Sequence, residues 1–255
     1  MKKLENKIAI ITGAGSGIGK EITLLFAKEG AKIVATDLNE KRLAELEKET
    51  SSYEGNIKLV KGDITKTNLI DEIIKVALKS FGTIDILVNN AGIMDNFQGI
   101  DEVDEKEWMK VMDININAPY RLMSHVMKVF LNKKSGNIIN IASIGGLNGG
   151  RAGAAYTTSK FALIGLTKNT GFLFAKNGIR CNAIAPGAIE TNISESIDYS
   201  KFKDEIKDRI MPGMVLNPRS GKPIEIAKIA LFLATEESSL VNGSVIVADD
   251  GWSAY

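Results

Sequence analysis

Short runs of β-branched and other apolar residues alternate along the chain with longer segments in which apolar residues recur every three or four positions. The runs predict seven strands, at 7–12, 32–37, 57–62, 84–89, 137–142, 179–185 and 244–248. The longer segments predict helices at 17–29, 39–50, 66–80, 104–131 (broken near Asn115 and Pro119), 154–176 and 223–235. Several strands are apolar on both faces, which is typical of strands covered by helices on each side. We therefore predict an α/β fold with a doubly wound, parallel, seven-stranded sheet in a single domain, 1–255.

One segment departs from this alternation. Residues 192–218 follow the sixth predicted strand, and their pattern predicts short helical pieces that end in turns. Such an excursion beyond the carboxyl end of a strand lies where open α/β sheets bind ligands. It is either a lid over a substrate or an inert surface insertion, and its position favours the lid.

The composition excludes several classes of protein. Hydrophobic residues make up 44% of the chain and charged residues 25%, which is ordinary for a globular domain. The 32 Lys and Arg balance 31 Asp and Glu, so no overall field recruits nucleic acid or a membrane. The apolar run near residues 8–11 is too short for a signal peptide. Cys181 stands alone, which excludes an intrachain disulfide or a cysteine-based metal site. We expect a cytoplasmic protein with no metal.

A glycine-rich turn, "ITGAGSGIGK" at 11–20, follows the first predicted strand and opens the first helix. Gly13 would permit the tight turn, Gly17 the close approach of backbone to a pyrophosphate, and Gly19 close helix packing. The N-terminus of the helix favours phosphates. Asp37 ends the second strand, where its carboxylate could accept hydrogen bonds from an adenosine ribose or cap the next helix. A glycine-rich turn alone is weak evidence, but this context predicts a dinucleotide site.

Six further motifs accompany the turn, whose own spacing is T-G-x-x-x-G-I-G. They are "GD" at 62–63, "NNAG" at 89–92, Asn115 in "DININ", Ser143 in "NIAS", "Y-x-x-x-K" at 156–160, and "PG" at 186–187 followed by Thr191. In this order and at this spacing, the sequence resembles the short-chain dehydrogenase/reductase family essentially from end to end. The resemblance implies a Rossmann fold and an NAD(P)-dependent oxidoreductase that acts on CH–OH groups.

Tyr156 and Lys160 are four residues apart and share one face of a predicted helix. Lowering the pKa of a phenol from about 10 to about 7 requires roughly 4 kcal/mol. A positive charge about 4 Å away, at an effective dielectric of about 20, supplies roughly that amount. An isolated tyrosine and lysine at this spacing would be read as two exposed side chains on a helix surface. Among the other motifs, we interpret it as an acid/base that works near neutral pH.

The resemblance assigns four catalytic residues. The tyrosine that matches Tyr156 exchanges a proton with the substrate oxygen while hydride passes between the nicotinamide and the carbon. The lysine that matches Lys160 lowers the pKa of the tyrosine and holds the nicotinamide ribose. Ser143 matches the serine that orients the substrate oxygen, and it could also form a strand-end turn. Asn115 matches the residue that keeps a water connected to the lysine, and it could also satisfy a helix kink.

The resemblance also assigns the cofactor-binding residues. Asp63 matches an acid that contacts the adenine amino group, Asn90 and Gly92 approach the adenosine ribose, and the stretch 186–191 holds the nicotinamide carboxamide. The full set is Gly13, Gly15, Ser16, Gly17, Ile18, Gly19, Asp37, Asp63, Ile64, Asn90, Gly92, Tyr156, Lys160, Pro186, Gly187, Ile189 and Thr191.

The expected reaction interconverts a ketone and a secondary alcohol, free or carrier-bound. The resemblance favours a 3-oxoacyl-thioester reductase, with a sugar or polyol dehydrogenase as the alternative. Lys133 and Lys134 could contact an acyl carrier protein or be solvated surface lysines, and Arg151 lies beside the expected pocket. A non-catalytic, nucleotide-sensing protein is the second class, and the intact Ser, Tyr and Lys argue against it.

NAD is the expected cofactor in preference to NADP, because a 2′-phosphate would meet the carboxylate of Asp37. Members that prefer NADP place a basic residue in the glycine loop or just after the second strand. Here the nearest basic residues, Lys41 and Arg42, are on the next helix, so we expect no compensating cation. The resemblance implies a homotetramer, in which Phe172, Phe174 and the terminal "GWSAY" are interface candidates or else core and tail.

Overall fold

The computed structural model describes residues 2–53 and 56–254. Its sheet has seven parallel strands in the order β3-β2-β1-β4-β5-β6-β7. The strands are β1 (Ile8–Thr12), β2 (Lys32–Asp37), β3 (Ile57–Lys61), β4 (Ile86–Asn89), β5 (Gly136–Ile141), β6 (Ile179–Pro186) and β7 (Val245–Ala248). Every predicted strand is present within two residues of its predicted bounds. The prediction of a doubly wound parallel sheet in one domain is confirmed.

Eight α-helices connect the strands in the described part of the chain. They are α1 (Gly17–Lys28), α2 (Glu40–Glu49), α3 (Thr67–Phe81), α4 (Glu105–Met112), α5 (Ala118–Lys133), α6 (Ala154–Phe174), α7 (Asp204–Val215) and α8 (Pro223–Ala234). A π-helical turn, Asp113–Asn117, joins α4 to α5, and Pro119 lies in the first turn of α5. The predicted break near Asn115 and Pro119 is therefore this change of helical pitch.

The core has two halves, one on each face of the sheet. Successive residues of β1 point to opposite faces, so Ile11 packs with α1, α2 and α8 while Ile10 packs with α3 and α5. Phe26 of α1 and Phe130 of α5 are the largest fully buried side chains of the two halves. Because both faces are covered, the strands are apolar on both sides, as the sequence pattern indicated.

The chain between β6 and α8 contains the short 3₁₀ helices Asn192–Ser196 and Tyr199–Lys201, followed by α7. This agrees with the short helical pieces predicted there, although α7 is a full 12-residue helix. The segment packs on the loop that follows β4. The amide of Asp198 donates to Asn96 Oδ1 at 2.7 Å, and the rings of Phe97 and Phe202 stack at 4.7 Å. Across the described residues, no helix has the length and apolarity that crossing a bilayer requires.

Candidate active site

A cleft of about 650 Å³ opens at the carboxyl ends of the parallel strands. All but three of the residues predicted to form the site line it. They are Gly13, Ser16, Gly17, Ile18, Asp37, Asp63, Ile64, Asn90, Gly92, Ser143, Tyr156, Lys160, Pro186, Gly187, Ile189 and Thr191. The carboxyl ends of parallel strands meet at one edge, which explains why motifs distant in sequence come together. The remaining three, Gly15, Gly19 and Asn115, each adjoin a residue of the lining.

The glycine turn has the geometry that a bound phosphate group requires. Gly13 and Gly17 adopt φ values of +63° and +52°, in the left-handed region. A Cβ on Gly19 would lie 2.2 Å from the carbonyl oxygen of Gly13, so only glycine allows this contact. Ser16 precedes α1, but its side chain makes no capping hydrogen bond. The positive end of a 12-residue helix is therefore open to an anion in the cleft.

Asp37 braces this turn from the end of β2. Its carboxylate accepts hydrogen bonds from the amide of Gly15 at 2.9 Å and from that of Asn39 at 2.8 Å. The suggestion that Asp37 caps the next helix is wrong. Asn39 is the N-cap of α2 and accepts from the amide of Arg42 at 3.2 Å. The carboxylate of Asp37 thus lies at the cleft wall.

Arg42 also lines the cleft, contrary to the expectation that no cation lies near Asp37. A Cβ on Gly15 would lie 2.8 Å from Cβ of Arg42 and 3.0 Å from the carboxylate of Asp37, so both flank the same backbone. Arg42 lies in the first turn of α2, which begins after the N-cap Asn39. Its guanidinium pairs with Glu195 at 2.7 Å.

Two further polar side chains of the cleft wall, Asp63 and Asn90, are held by their own neighbours. Asp63 accepts from the amide and hydroxyl of Thr65 at 2.9 and 2.8 Å. Asn90 donates to the carbonyls of Thr12 and Gly13 at 2.9 and 3.1 Å. The Asn90 side chain is thus a brace for the glycine turn.

Tyr156 and Lys160 lie one turn apart on α6 and are both buried. The Nζ atom of Lys160 lies 5.5 Å from the centre of the Tyr156 ring. It donates a 2.9 Å hydrogen bond to the carbonyl of Ile141, at the end of β5. The lysine is therefore fixed by strand β5 as well as by its own helix.

Burial dominates the acid–base properties of this pair. It raises the pKa of Tyr156 to about 12, a rise that a hydrogen bond with Ser143 partly offsets and the charge of Asp95 increases. Burial also lowers the pKa of Lys160 to about 8. The pKa of Tyr156 is therefore raised by burial and is not brought near 7 by Lys160, contrary to expectation. Both shifts have one cause, because a buried site disfavours each charged form.

Ser143 and Asn115 complete the predicted catalytic set. Ser143 lies just beyond β5 and its Oγ accepts from the amide of Gly145 at 3.0 Å, so the strand-end turn is present. Asn115 lies in the π-helical turn. Its side chain exchanges two 2.9 Å hydrogen bonds with the backbone of Ile93 and donates to Ser159 at 3.1 Å. Its amide is thus committed to the protein, as expected for a residue at a helix irregularity.

A residue that the sequence analysis did not identify, Asp95, holds the start of α6. Its carboxylate is 1% exposed and accepts from the amides of Gly153 at 3.0 Å, Tyr156 at 2.8 Å and Phe97 at 3.1 Å. These bonds lower the pKa of Asp95 in part, but burial raises it overall. The position of the Tyr156 backbone therefore depends on a buried acid from the loop after β4.

The end of the cleft beside Ser143 and Tyr156 is largely apolar. The side chains that line it come from five parts of the chain, and they are Met94, Phe97, Ile144, Ile193, Met214 and Trp252. Trp252 is buried and donates from Nε1 to the carbonyl of Gly213 at 2.7 Å. Arg151 donates to the same carbonyl at 2.7 Å and lies 4.4 Å above the Trp252 ring. The terminal "GWSAY" thus contributes core at Trp252, while Tyr255 lies outside the described residues.

Lys133 and Lys134 lie away from this cleft. They precede β5, at the amino edge of the sheet, whereas the site is at the carboxyl edge. Lys133 forms an ion pair with Asp85 and donates to the carbonyl of Ile84 at 2.6 Å. Their suggested contact with a carrier protein beside the site is not supported within one chain. In the described ranges, no group of three or more His, Cys, Asp or Glu residues is arranged to hold a metal ion.

Comparison with known proteins agrees with this geometry. The family described as "Enoyl-(Acyl carrier protein) reductase" matches residues 13–253. The chain is 42% identical to 3beta-hydroxysteroid dehydrogenase 2 of Eggerthella lenta over 99% of its length and 96% of that protein's. It is 37% identical to a 3-oxoacyl-[acyl-carrier-protein] reductase of Thermotoga maritima, over 98% of each. Among solved structures, levodione reductase superposes with a TM-score of 0.89 at 29% identity, over 99% of this chain and 100% of the other.

These matches extend over nearly the whole chain and include the glycine turn, the end of β5 and α6. The chain therefore belongs to the short-chain dehydrogenase/reductase family, and it is an NAD(P)-dependent dehydrogenase/reductase that acts on an alcohol or a ketone.

Proposed function

We propose that this enzyme uses Tyr156 as its proton donor and acceptor, with Ser143 orienting the substrate oxygen. The observation that carries the proposal is the meeting of Ser143, Tyr156 and Lys160 at the end of β5, beside the cleft. A carbonyl oxygen that accepts from both hydroxyls would be polarised, and the phenol proton would pass to it as the carbon is reduced. Oxidation of the alcohol reverses the transfer, with the phenolate as base.

The residues of the cleft fit a nicotinamide dinucleotide. The uncapped start of α1 would take the pyrophosphate, and Asp37 would accept from the adenosine ribose. Asp63 and Ile64 would bind the adenine, Asn90 and Gly92 would lie against the adenosine ribose, and the stretch 186–191 would hold the nicotinamide. When bound, the cofactor supplies or accepts the hydride. Gly15 and Gly19 act by letting the backbone approach closely.

In this proposal, Lys160 and Asn115 assist the proton transfer rather than the hydride transfer. The ammonium group of Lys160 favours the phenolate that forms on Tyr156 and binds the nicotinamide ribose. Because the Asn115 side chain is committed to Ile93 and Ser159, only its main chain is left to hold a water of the proton relay. Asn115 is thus a positioning residue through its side chain.

Residues 192–218 form the lid over the substrate in this proposal. Ile193 and Met214 from this segment line the apolar end of the cleft, the end that also contains Ser143 and Tyr156. Closing the lid would exclude water from the proton transfer. The alternative of an inert insertion does not explain why both side chains point into the cleft.

We propose an apolar ring ketone of the hydroxysteroid type as substrate. The apolar lining would bury such a substrate, whereas it would leave most hydroxyls of a sugar or polyol unpaired. The 42% identity to a hydroxysteroid dehydrogenase supports this choice. A 3-oxoacyl thioester is the second candidate, because its acyl chain also suits the lining and the Thermotoga maritima relative is named for that substrate. A nucleotide sensor without chemistry is disfavoured by the complete catalytic set.

A substrate panel tests this proposal. We expect kcat/KM with NADH to be at least about tenfold higher for a 3-oxosteroid than for a 3-oxoacyl thioester or a ketose, a difference of about 1.4 kcal/mol. Trp252→Ala should raise KM for the steroid, whereas Leu240→Ala, at a site that is 97% exposed, should not. A higher kcat/KM for the thioester would favour the second candidate. No turnover of any ketone or alcohol, despite tight NADH binding, would reject the enzymatic role.

We also propose that NAD is favoured over NADP. Asp37 presents a negative charge at the ribose end, and the nearby Arg42 is already paired with Glu195. A 2′-phosphate would therefore meet a net negative wall. We expect NADH to exceed NADPH at least about tenfold in catalytic efficiency. Replacing Asp37 with Ala and Leu38 with Arg should narrow or invert the preference, and equal efficiencies in the unmodified enzyme would contradict the proposal.

A homotetramer is the assembly that we propose. Phe172 and Leu173, near the end of α6, are 83% and 56% exposed, and such aromatic and aliphatic surface favours association. Phe174 is only half-buried and packs partly on the core. Light scattering should give four chains per particle, and a monomer at micromolar concentration would reject the assembly.

A further inference from the structure

The first turn of the segment after β6 is tied across the cofactor cleft to the opposite wall. Glu195 accepts from Nη2 of Arg42 at 2.7 Å. The amide of Asn192, in the orientation that satisfies both its ends, accepts from Arg42 at 2.6 and 2.7 Å and donates to Ser16 Oγ at 3.0 Å. This Arg42–Glu195 bridge therefore spans the cleft between α2 and the lid.

The bridge lies beside Asp37, at the end of the cleft proposed to bind the adenosine ribose, so its charges would affect binding of a 2′-phosphate. Among the described residues that line the cleft, the lysines and arginines are Arg42, Arg151 and Lys160. Arg151 stacks on Trp252 at the apolar end, and Lys160 is bonded to Ile141 at the catalytic end. Arg42 is thus the cation beside Asp37.

The groups that pair with Arg42 hinder the binding of a further anion to its guanidinium. Its side chain is only 31% exposed, and its guanidinium donates to a carboxylate and an amide oxygen at once. With Asp37 and Glu195 on either side, the three charges sum to minus one. A 2′-phosphate could bind Arg42 only by displacing Glu195, whereas a free ribose hydroxyl requires no such exchange.

We propose that Glu195, a residue of the lid, is a second determinant of coenzyme choice because it occupies Arg42 and so withholds that cation from the 2′-phosphate of NADP. The inference rests on the proposed cofactor cleft and deepens the proposed preference for NAD. It assigns a specificity role to two residues that do not touch the reacting atoms. Asp37 discriminates by its own charge, and Glu195 discriminates by neutralising Arg42.

Binding of two adenosine probes tests the proposal without turnover. Calorimetry would compare adenosine 2′,5′-bisphosphate, which carries the extra phosphate, with adenosine 5′-monophosphate, which lacks it. The variants are Glu195→Gln, Arg42→Gln and the double variant. Glu205→Gln is the matched control, since it removes one acidic charge from an exposed position on α7.

We expect Glu195→Gln to tighten binding of the bisphosphate about three- to fivefold, the range that exposed charge pairs reach. In Glu195→Gln, affinity for the monophosphate should change by less than about twofold. In Glu205→Gln, the affinities for the bisphosphate and for the monophosphate should each change by less than about twofold. In the Arg42→Gln background the same Glu195 substitution should give no gain. The ratio of NADPH to NADH efficiency should rise in Glu195→Gln by the same factor.

Two results would overturn the inference. An unchanged affinity for the bisphosphate in Glu195→Gln would show that Arg42 is not withheld. An equal gain with and without Arg42 would show a general charge effect instead. If NADH binds the unmodified enzyme in either case, the proposed cofactor site stands and only the role of Glu195 is wrong. If neither NADH nor the monophosphate binds the unmodified enzyme, the proposed site fails, and the inference fails with it.

Discussion

The ammonium nitrogen of Lys160 lies 5.5 Å from the centre of the Tyr156 ring and donates a 2.9 Å hydrogen bond to the carbonyl of Ile141. A buried cation is thus held beside a buried phenol by the end of β5. Placing a charge in such a site costs stability, because the protein replaces the water shell with one carbonyl contact. The buried charge of Lys160 therefore lowers the stability of the folded protein in return for its role beside Tyr156, and the loss can be measured as a free energy of unfolding.

Lys160→Met should stabilise the cofactor-free protein while it removes activity. The pKa of Lys160 is lowered from 10.5 to about 8, which corresponds to about 3 kcal/mol of penalty on the charged form. The unfolded chain binds more protons than the folded one between these two pH values, so wild-type stability rises with pH across that window. We expect the variant to gain about 1 to 3 kcal/mol in free energy of unfolding at pH 7, and the gain to shrink above pH 8.

Urea unfolding between pH 7 and 9.5 would measure this effect. Lys168→Met is the control, because Lys168 is exposed on the same helix and its charge stays in water. A Lys160→Met variant that is less stable than wild type at pH 7 would show that the Ile141 contact outweighs the burial penalty.

The two directions of the reaction should differ in pH dependence. A phenol with a pKa of about 12 stays protonated at neutral pH, so the donor needed for ketone reduction is always present. Alcohol oxidation needs the phenolate. At pH values below the pKa, the phenolate fraction rises tenfold for each unit by which the pH increases. We expect kcat/KM for oxidation to rise about tenfold per unit between pH 6 and 8, and that for reduction to change less than about threefold.

Initial rates in both directions would check these profiles. Ser143→Ala should move the oxidation profile to higher pH, because its hydrogen bond lowers the pKa of Tyr156. A reduction rate that falls with an apparent pKa near 7 would mean that the donor has a much lower pKa than the structure indicates.

Asp95 is expected to act as a positioning residue for Tyr156. Asp95→Ala leaves three backbone amides without an acceptor, and we expect a loss of about 2 to 4 kcal/mol in unfolding free energy. Asp95→Asn keeps an acceptor oxygen but removes the charge that raises the pKa of Tyr156. The oxidation profile should then shift to lower pH, which a purely structural role would not produce. Asp101→Asn, exposed in the same loop, should leave stability and the pH profile unchanged.

The sequence was sufficient where the information is local or periodic. The seven strands follow from their apolar runs, and the glycine turn follows from residues 13–19, whose backbone geometry has few solutions. Asp95 was not predicted because two of its partners lie 58 and 61 residues further along the chain. The pKa of Tyr156 depends on how fully α6 is covered, which no spacing of residues reveals.

Arg42 and Trp252 show a related limit. Their residue types were visible, but whether Arg42 points toward β2 or away depends on where α2 starts, and Asn39 rather than Asp37 sets that start. Trp252 faces the cleft because its indole nitrogen donates to Gly213, in α7. Both side chains are positioned by tertiary contacts that have no counterpart in the local pattern.

The Tyr156→Phe variant decides whether Tyr156 transfers the proton, when NADH binding is followed by fluorescence and turnover is followed in both directions. The ring and its packing are kept, so only the hydroxyl is lost. We expect kcat to fall by at least about 10³-fold while the dissociation constant for NADH stays within about twofold. Activity within a few-fold of wild type, with NADH still bound, would show that Tyr156 does not transfer the proton.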